Sequence, residues 1–246
     1  MWQELRTEFH PRGLEIVTVA LDIEGPSAAR EFVEAAHADH PSLIDERHLV
    51  DELFGVVNVP NGVWIDEDGM IVRPAEPAFP GRNPVMESFR SLDVSTLPPD
   101  LANIMVEVKK IQTDPEGYLA MVLDWVEHGS ASRYVLSPAE VIARSQPRST
   151  DEAAAAAHFE LGEHLHRAGR IEAAQAHWRQ AHRLQPENWT YKRQAWNLVS
   201  PVVQGPTDIY ESCWIEDVKK IGAENYYPEV VPEGARSQTP LRGVAS

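Results

Sequence analysis

The chain has 246 residues, of which 43% are apolar, and its formal net charge is −16 at pH 7. This length allows one large domain or two modest ones, and the apolar fraction is sufficient for a packed core. The negative charge argues against nonspecific nucleic-acid binding, which needs Lys and Arg to neutralise phosphates, and against binding to anionic membranes.

The sequence shows no pattern typical of membrane insertion or export. No apolar run approaches the length of a membrane span. The N-terminus has no basic segment followed by an apolar core, so we expect no signal peptide. Cys213 is the only cysteine, so this sequence can form neither an internal disulfide nor a Cys-x-x-Cys pair. We therefore expect a cytoplasmic protein.

The first 54 residues alternate between helix and strand patterns. Trp2, Leu5 and Phe9 recur at helical spacing. Residues 14–21 form a nearly continuous, β-branched apolar run, which suits a strand buried on both faces. Ser27 is the expected N-cap of the helix that follows. The predicted elements are, in chain order, a helix at 2–10, a strand at 14–21, a helix at 28–40, a short strand at 42–45 and a short helix at 48–54.

A β-hairpin is predicted next. Two short apolar runs, Val63–Ile65 and Met70–Val72, flank the turn sequence Asp-Glu-Asp-Gly at 66–69. Glycine after Asp adopts a positive φ without strain, which favours a hairpin turn. Val59-Pro60 precedes the first strand. Proline has no backbone N–H to donate to a neighbouring strand, and it is tolerated at the start of a strand.

This arrangement of Val-Pro, strand, Asp-x-Asp-Gly and strand resembles the cis-proline loop and following hairpin of the thioredoxin fold. The similarity covers residues 1–75 and is greatest to the redoxin branch, which includes peroxiredoxins and TlpA/ResA-like thiol-disulfide oxidoreductases. The resemblance implies that Pro60 is the cis-proline that contacts substrate backbone in that family, with Asn61 where many relatives have Thr. The attacking and resolving cysteines of the family have no counterpart here, so we expect no catalytic residue and no cofactor.

The resemblance also implies that Met1 lies within the helix that carries the Cys-x-x-Cys in relatives, with one more strand in front of it. A sheet without that strand has an unpaired central edge, which is costly and prone to aggregation. The rest of this chain, a partner or residues upstream of Met1 would have to cover it. Two explanations of the missing strand are therefore open. Either Met1 is an internal residue of a longer chain, or this is a truncated module without redox chemistry.

Residues 76–100 are rich in proline and are predicted to be a linker, interrupted by a brief helix at 85–92. Residues 101–200 are expected to be a helical region. Residues 101–110 suit a helix or a strand, whereas Asp114 and Ser137 each indicate a helix start. In the C-terminal extension, 201–246, we expect a helix at 209–221 and disorder after Glu233.

Residues 153–186 resemble a tetratricopeptide repeat. Gly162 and Ala174 are small because two helices are expected to touch there, and Trp178 is expected to fill the groove between helices. The matching positions are Leu161, Gly162, Leu165, Gly169, Ala174, Trp178, Ala181 and Pro186. Trp189 opens the next predicted helix. A single repeat cannot bury its own apolar face, so it must pack on the rest of the chain or on another subunit.

The histidines and the single cysteine are the residues with other possible chemistry. Half of the ten histidines lie between His158 and His182, but they do not share one helix face, so a solvated surface is favoured over a metal site. Cys213 has acidic sequence neighbours, which favours an inert thiol over a peroxidatic one.

The sequence thus predicts an α/β fold, with a partial thioredoxin-like sheet and flanking helices, followed by an α-helical tetratricopeptide-like region. The leading hypothesis is a noncatalytic protein that binds a polypeptide partner, and a homo-oligomer would cover the open sheet edge. The expected contact residues are Val59, Pro60, Asn61, Trp178 and Trp189. One alternative is a thiol-disulfide oxidoreductase or peroxiredoxin-like antioxidant protein whose cysteine segment lies upstream of Met1. A weaker alternative is a metal-handling protein that uses the His-rich repeat.

Overall fold

The computed structural model describes residues 1–82, 84–199 and 213–227. The N-terminal part mixes both element types: α1 (Trp2–Phe9), β1 (Thr18–Leu21), α2 (Pro26–Ala35), β2 (Ser42–Asp45), α3 (Leu49–Phe54), β3 (Asn61–Ile65) and β4 (Ile71–Pro77). The elements described after it are helices: α4 (Pro84–Ser91), α5 (Pro99–Val108), α6 (Pro115–His128), α7 (Pro138–Arg144), α8 (Thr150–Arg167), α9 (Ile171–Leu184), α10 (Trp189–Val199) and α11 (Trp214–Ile221). The predicted mixture of helix and strand is confirmed.

The strands form two separate two-stranded sheets. β1 and β2 pair in parallel, with Thr18 opposite Ser42, whereas β3 and β4 pair antiparallel with register shifts near Trp64. The prediction of a strand at 14–21 buried on both faces is wrong. β1 has only four residues, all of them half-buried, and Val17 is 53% exposed. β1 is an edge strand of a two-stranded sheet, and the described elements that pack on its faces cover its side chains only in part.

The predicted hairpin is confirmed. The carboxylate of Asp66 accepts hydrogen bonds from the backbone N–H groups of Asp68 and Met70, and the turn closes through Gly69, whose φ is 77°. Because these bonds lie within a few residues of one another, the turn is specified locally. The Val59–Pro60 peptide bond is cis, as the resemblance to the thioredoxin fold implies.

Helix α2 differs from its predicted bounds. It begins at Pro26 after Gly25, whose φ is 62°, and the hydroxyl of Ser27 donates to the carbonyl of Glu24 instead of capping the helix. It ends at Ala35 because the chain turns at His37, which has a φ of 47°.

Most helix starts in the second half follow their predicted signals. Asp114 accepts from the N–H of Gly117, and Ser137 forms a capping box with Glu140. α4 is the brief helix expected within the proline-rich stretch, and residues 101–108 of the segment 101–110 are helical within α5. The last part of the helix predicted at 209–221 is α11, whereas its residues 209–212 and the tail after Glu233 lie outside the described residues.

The described residues form three apolar core clusters. The first packs the β3–β4 hairpin against α1 and α6, and in it the ring of Trp64 stacks on Trp125 with centroids 4.7 Å apart. The second lies between α8, α9 and α10 and contains Phe159 and Trp178. The third joins α10 to α11. No helix in the described ranges is both long and apolar enough to cross a bilayer.

Helices α8 and α9 approach each other at the position predicted from the repeat pattern. A Cβ on Gly162 would lie 2.5 Å from the indole ring of Trp178, and Ala174 is fully buried. The small residues are therefore needed for the helices to pack around Trp178.

Candidate functional site

The proline loop, residues 57–61, is attached to the start of α10. The carbonyl oxygen of Val57 accepts hydrogen bonds from the backbone N–H groups of Trp189, at 2.6 Å, and Thr190, at 3.3 Å. These donors belong to the first turn of a helix, where N–H groups have no partner inside the helix. The loop therefore supplies the acceptor that the helix end requires.

The segment after α11 holds the other side of the loop. The side-chain amide of Asn58 donates to the carbonyl of Tyr226 at 3.0 Å, and the hydroxyl of Tyr227 donates to the carbonyl of Val59 at 3.0 Å. Asn58 also accepts from the N–H of Val59 at 2.9 Å. These contacts fix the backbone before Pro60 while leaving the ring of Pro60 exposed.

A buried group of polar side chains lies directly behind the loop, and we call it the polar junction. It comprises His48, which directly precedes α3, Asp51 of α3, Glu163 of α8, and Thr190 and Gln194 of α10. Each of these five residues is at most 5% exposed. The junction therefore joins the α/β part of the chain to the helical part through polar contacts.

Hydrogen bonds connect most of the junction. The Nδ1 atom of His48 lies 3.0 Å from Asp51 Oδ2, and its Nε2 atom lies 3.1 Å from Gln194 Oε1. The hydroxyl of Thr190 lies 2.8 Å from Asp51 Oδ2 and 2.6 Å from Asn188 Oδ1, and its one proton is shared between these two acceptors. Gln194 also accepts from the N–H of Ile23, in the turn that follows β1. The imidazole is thereby fixed between a carboxylate and an amide.

Glu163 is the exception within the junction. Neither of its carboxylate oxygens makes a hydrogen bond to another described residue. Its nearest charged neighbours are His48 Nε2 at 3.9 Å and Arg167 Nη2 at 3.6 Å. Burial raises the pKa of Glu163 to about 8, and the charges of His48 and Arg167 offset part of this increase.

The environment of His48 favours its charged form. Burial alone lowers the pKa of His48, but the hydrogen bond to Asp51 and the charges of Asp51 and Glu163 outweigh burial and raise it above its ordinary value. A protonated imidazole against Asp51 is a buried ion pair, with side chains 2% and 0% exposed. Because neither side chain reaches solvent, the pair can hold two parts of the chain together but offers no surface to a substrate.

The structure divides the expected contact residues into two groups. Val59 and Asn61 are half-buried and flank the exposed Pro60, so these three residues form one surface. Trp178 is fully buried between α8 and α9, and Trp189 is 3% exposed and packs edge-on against Tyr226. The two tryptophans are therefore core residues in this structure, and neither is available to a partner.

The His-rich repeat brings two histidines together across α8 and α9. The Nδ1 atoms of His158 and His177 are 2.8 Å apart, and their rings stack at 5.1 Å. Within the described residues, no group of three or more His, Cys, Asp or Glu is placed to hold a metal ion. Cys213 is half-buried at the N-cap of α11.

Sequence patterns did not identify the polar junction. Asp51 and Thr190 are 139 positions apart, and no spacing rule connects them. The one local indication is that His48 and Asp51 are three residues apart at the start of a short helix, where side chains can meet. No protein-family model matches the chain, and neither the curated proteins nor the solved structures contain a significant match to it.

Proposed function

We propose that this chain is a noncatalytic protein that binds a polypeptide partner through the surface formed by Val59, Pro60 and Asn61. The observation that carries the proposal is the contrast between the exposed Pro60 and its fixed backbone, which α10 and Tyr227 hold by hydrogen bonds. A surface that is fixed before binding loses little conformational entropy when a partner binds.

The resemblances seen in the sequence form part of this proposal. The β3–β4 hairpin after Pro60 supports a thioredoxin-like lineage, and the close packing of α8 on α9 supports a tetratricopeptide-like unit. The single cysteine, Cys213, supports a role without thiol chemistry and a cytoplasmic location.

Selection of a phage-displayed random peptide library against the whole chain tests the proposal. A peptide enriched in this way is then titrated against Pro60→Ser, with Ile142→Ser on α7 as the control because Ile142 is also exposed, at 68%. We expect Pro60→Ser to weaken binding by about tenfold or more and Ile142→Ser to leave it unchanged.

Two outcomes would contradict the proposal. Failure to enrich any peptide, or equal affinity for Pro60→Ser and the unchanged protein, removes the proposed surface. Catalysis of insulin reduction by this chain in the presence of dithiothreitol would contradict the noncatalytic part, because the proposal assigns no redox role to Cys213.

A further inference from the structure

An apolar groove of about 300 Å³ lies between β1 and α2. Leu21 and Ala20 line it from the strand, and Ala28, Phe32 and Val33 line it from the helix. None of its lining residues belongs to β2, so the groove lies over β1 and not over its paired strand. Phe32 is 69% exposed at this site. The groove therefore exposes apolar side chains of β1 and α2 to solvent.

The backbone of β1 has one free edge beside this groove. Thr18 donates its N–H to the carbonyl of Pro41, and Asp22 donates to Asp45, so these residues face β2. In a parallel pair, the N–H and C=O of alternate residues point to opposite sides. Val19 and Leu21 therefore direct theirs away from β2, to an edge that no described strand covers. Such an edge is a template for an additional strand.

The charges around the groove indicate which kind of strand fits. Asp22 is part of the groove lining, Glu24 lies exposed in the turn before α2, and Glu31 directly precedes Phe32 on the exposed face. Arg30, the exposed cation next to Glu31, lies 3.8 Å from Glu34 on the same helix. The carboxylate of Asp22 in the lining, with Glu24 and Glu31 nearby in the sequence, favours Lys or Arg in the occupant. Alternation of side chains along a strand would place every second residue of the occupant against the apolar lining.

We propose that the free edge of β1 and the adjoining groove bind an extended polypeptide segment in which apolar residues alternate with polar ones and basic residues flank them. The segment adds as a strand next to Val19 and Leu21, and its apolar side chains enter the groove beside Phe32. This inference extends the function proposed above to a second surface, which does not include Pro60.

A second copy of this chain is a poorer occupant. Each copy carries a net charge of −16, and symmetric pairing through β1 would bring two acidic rims together. Like charges across an interface reduce affinity. The partner is therefore expected to be a different and basic polypeptide.

A synthetic peptide of alternating Val and Thr, about seven residues long and with Lys at each end, is the probe. It is titrated by fluorescence anisotropy against the whole chain. Ala28→Trp fills the groove and is expected to weaken binding by about tenfold or more, whereas Ile142→Ser is expected to have no effect. The same peptide with Glu at both ends is expected to bind at least about tenfold more weakly. Hydrogen exchange at the amides of Val19 and Leu21 is expected to slow in the complex.

If Ala28→Trp does not fold, the double variant Glu24→Lys and Glu31→Lys tests the same site. Both glutamates are exposed, so their replacement should not prevent folding. It is expected to weaken binding of the Lys-ended peptide. The inference is overturned if the peptide does not bind, if it binds equally with Lys or Glu ends, or if these variants have no effect. It is also overturned if sedimentation shows a dimer in which the amides of Val19 and Leu21 are already protected from hydrogen exchange. Pro60→Ser should leave this peptide's affinity unchanged. A negative result for one surface therefore does not count against the proposal for the other.

Discussion

Thr190 holds its hydroxyl 2.8 Å from Asp51 Oδ2 and 2.6 Å from Asn188 Oδ1, so its one proton is shared between these acceptors, while its backbone N–H donates to the carbonyl of Val57. One residue at the start of α10 thus contacts both the polar junction and the proline loop. The geometry of the exposed Pro60 surface depends on the same helix turn that satisfies a buried carboxylate.

Replacing Thr190 by Val tests this relationship. Valine keeps the shape but removes the donor, and Asp51 Oδ1 already lacks a hydrogen bond to any described residue. We expect the free energy of unfolding, measured in urea, to fall by about 1 kcal/mol, the net contribution of one buried hydrogen bond, because Asp51 Oδ2 keeps its contact with His48 Nδ1. Thr190→Ser keeps the hydroxyl and should lose less than half as much. Equal losses for both variants would show that the hydroxyl contributes nothing.

The pH dependence of stability should reflect Glu163. Folding raises the pKa of this carboxyl from 4.5 to about 8, so between these values the folded state holds a proton that the unfolded state releases. The free energy of unfolding therefore falls as pH rises through this window. Glu163→Gln cannot ionise, and we expect it to be more stable than the unchanged protein at pH 8 by on the order of 3 kcal/mol, with little difference near pH 4.

Two buried histidines, His48 and His182, add to the pH dependence. His48 has a raised pKa, so its contribution is complete below its ordinary value of 6.5 and is lost as pH rises through the folded-state pKa. Burial lowers the pKa of His182 to about 3, which destabilises the folded state as pH falls from 6.5 towards that value. The His182 effect should persist in Glu163→Gln, whereas the His48 effect should be smaller, because the charge of Glu163 contributes to the raised pKa of His48. An alkaline slope that is identical in the two proteins would contradict the assignment to Glu163.

Gly162→Ala should destabilise the chain although alanine favours helices. At an open helix position the change would stabilise by about 1 kcal/mol. Here the added methyl group meets the ring of Trp178, so we expect a net loss of about 2 kcal/mol in thermal or urea unfolding. In the background Trp178→Leu the same change should cost less or become favourable. Additive effects in this double-mutant cycle would show that the two residues do not contact.

Local chemistry explains which parts of the fold were predictable from the sequence. The turn at Asp66 and the capping box at Ser137 depend on hydrogen bonds between residues at most four positions apart. The burial of Trp189 was not predictable, because it depends on Tyr226, and the sequence pattern of α10 does not reveal what covers it. The half-buried state of β1 likewise depends on which strands pair with it and not on its own apolar residues.

The ion pair between Arg73 and Glu76 provides a final test, because both residues lie in β4 and are buried, at 2% and 9% exposure. Arg73 also donates to the carbonyl of Tyr134 at 2.7 Å, which fixes the segment before α7 to the hairpin. Arg73→Met leaves Glu76 buried without its partner, so we expect a loss of about 3–5 kcal/mol in the free energy of unfolding. Adding Glu76→Leu removes the unpaired charge and should recover most of that loss, since replacing both members of a buried pair is far less costly than replacing one. If the double variant is as unstable as Arg73→Met alone, the loss arises from the contact with Tyr134 and not from the stranded carboxylate.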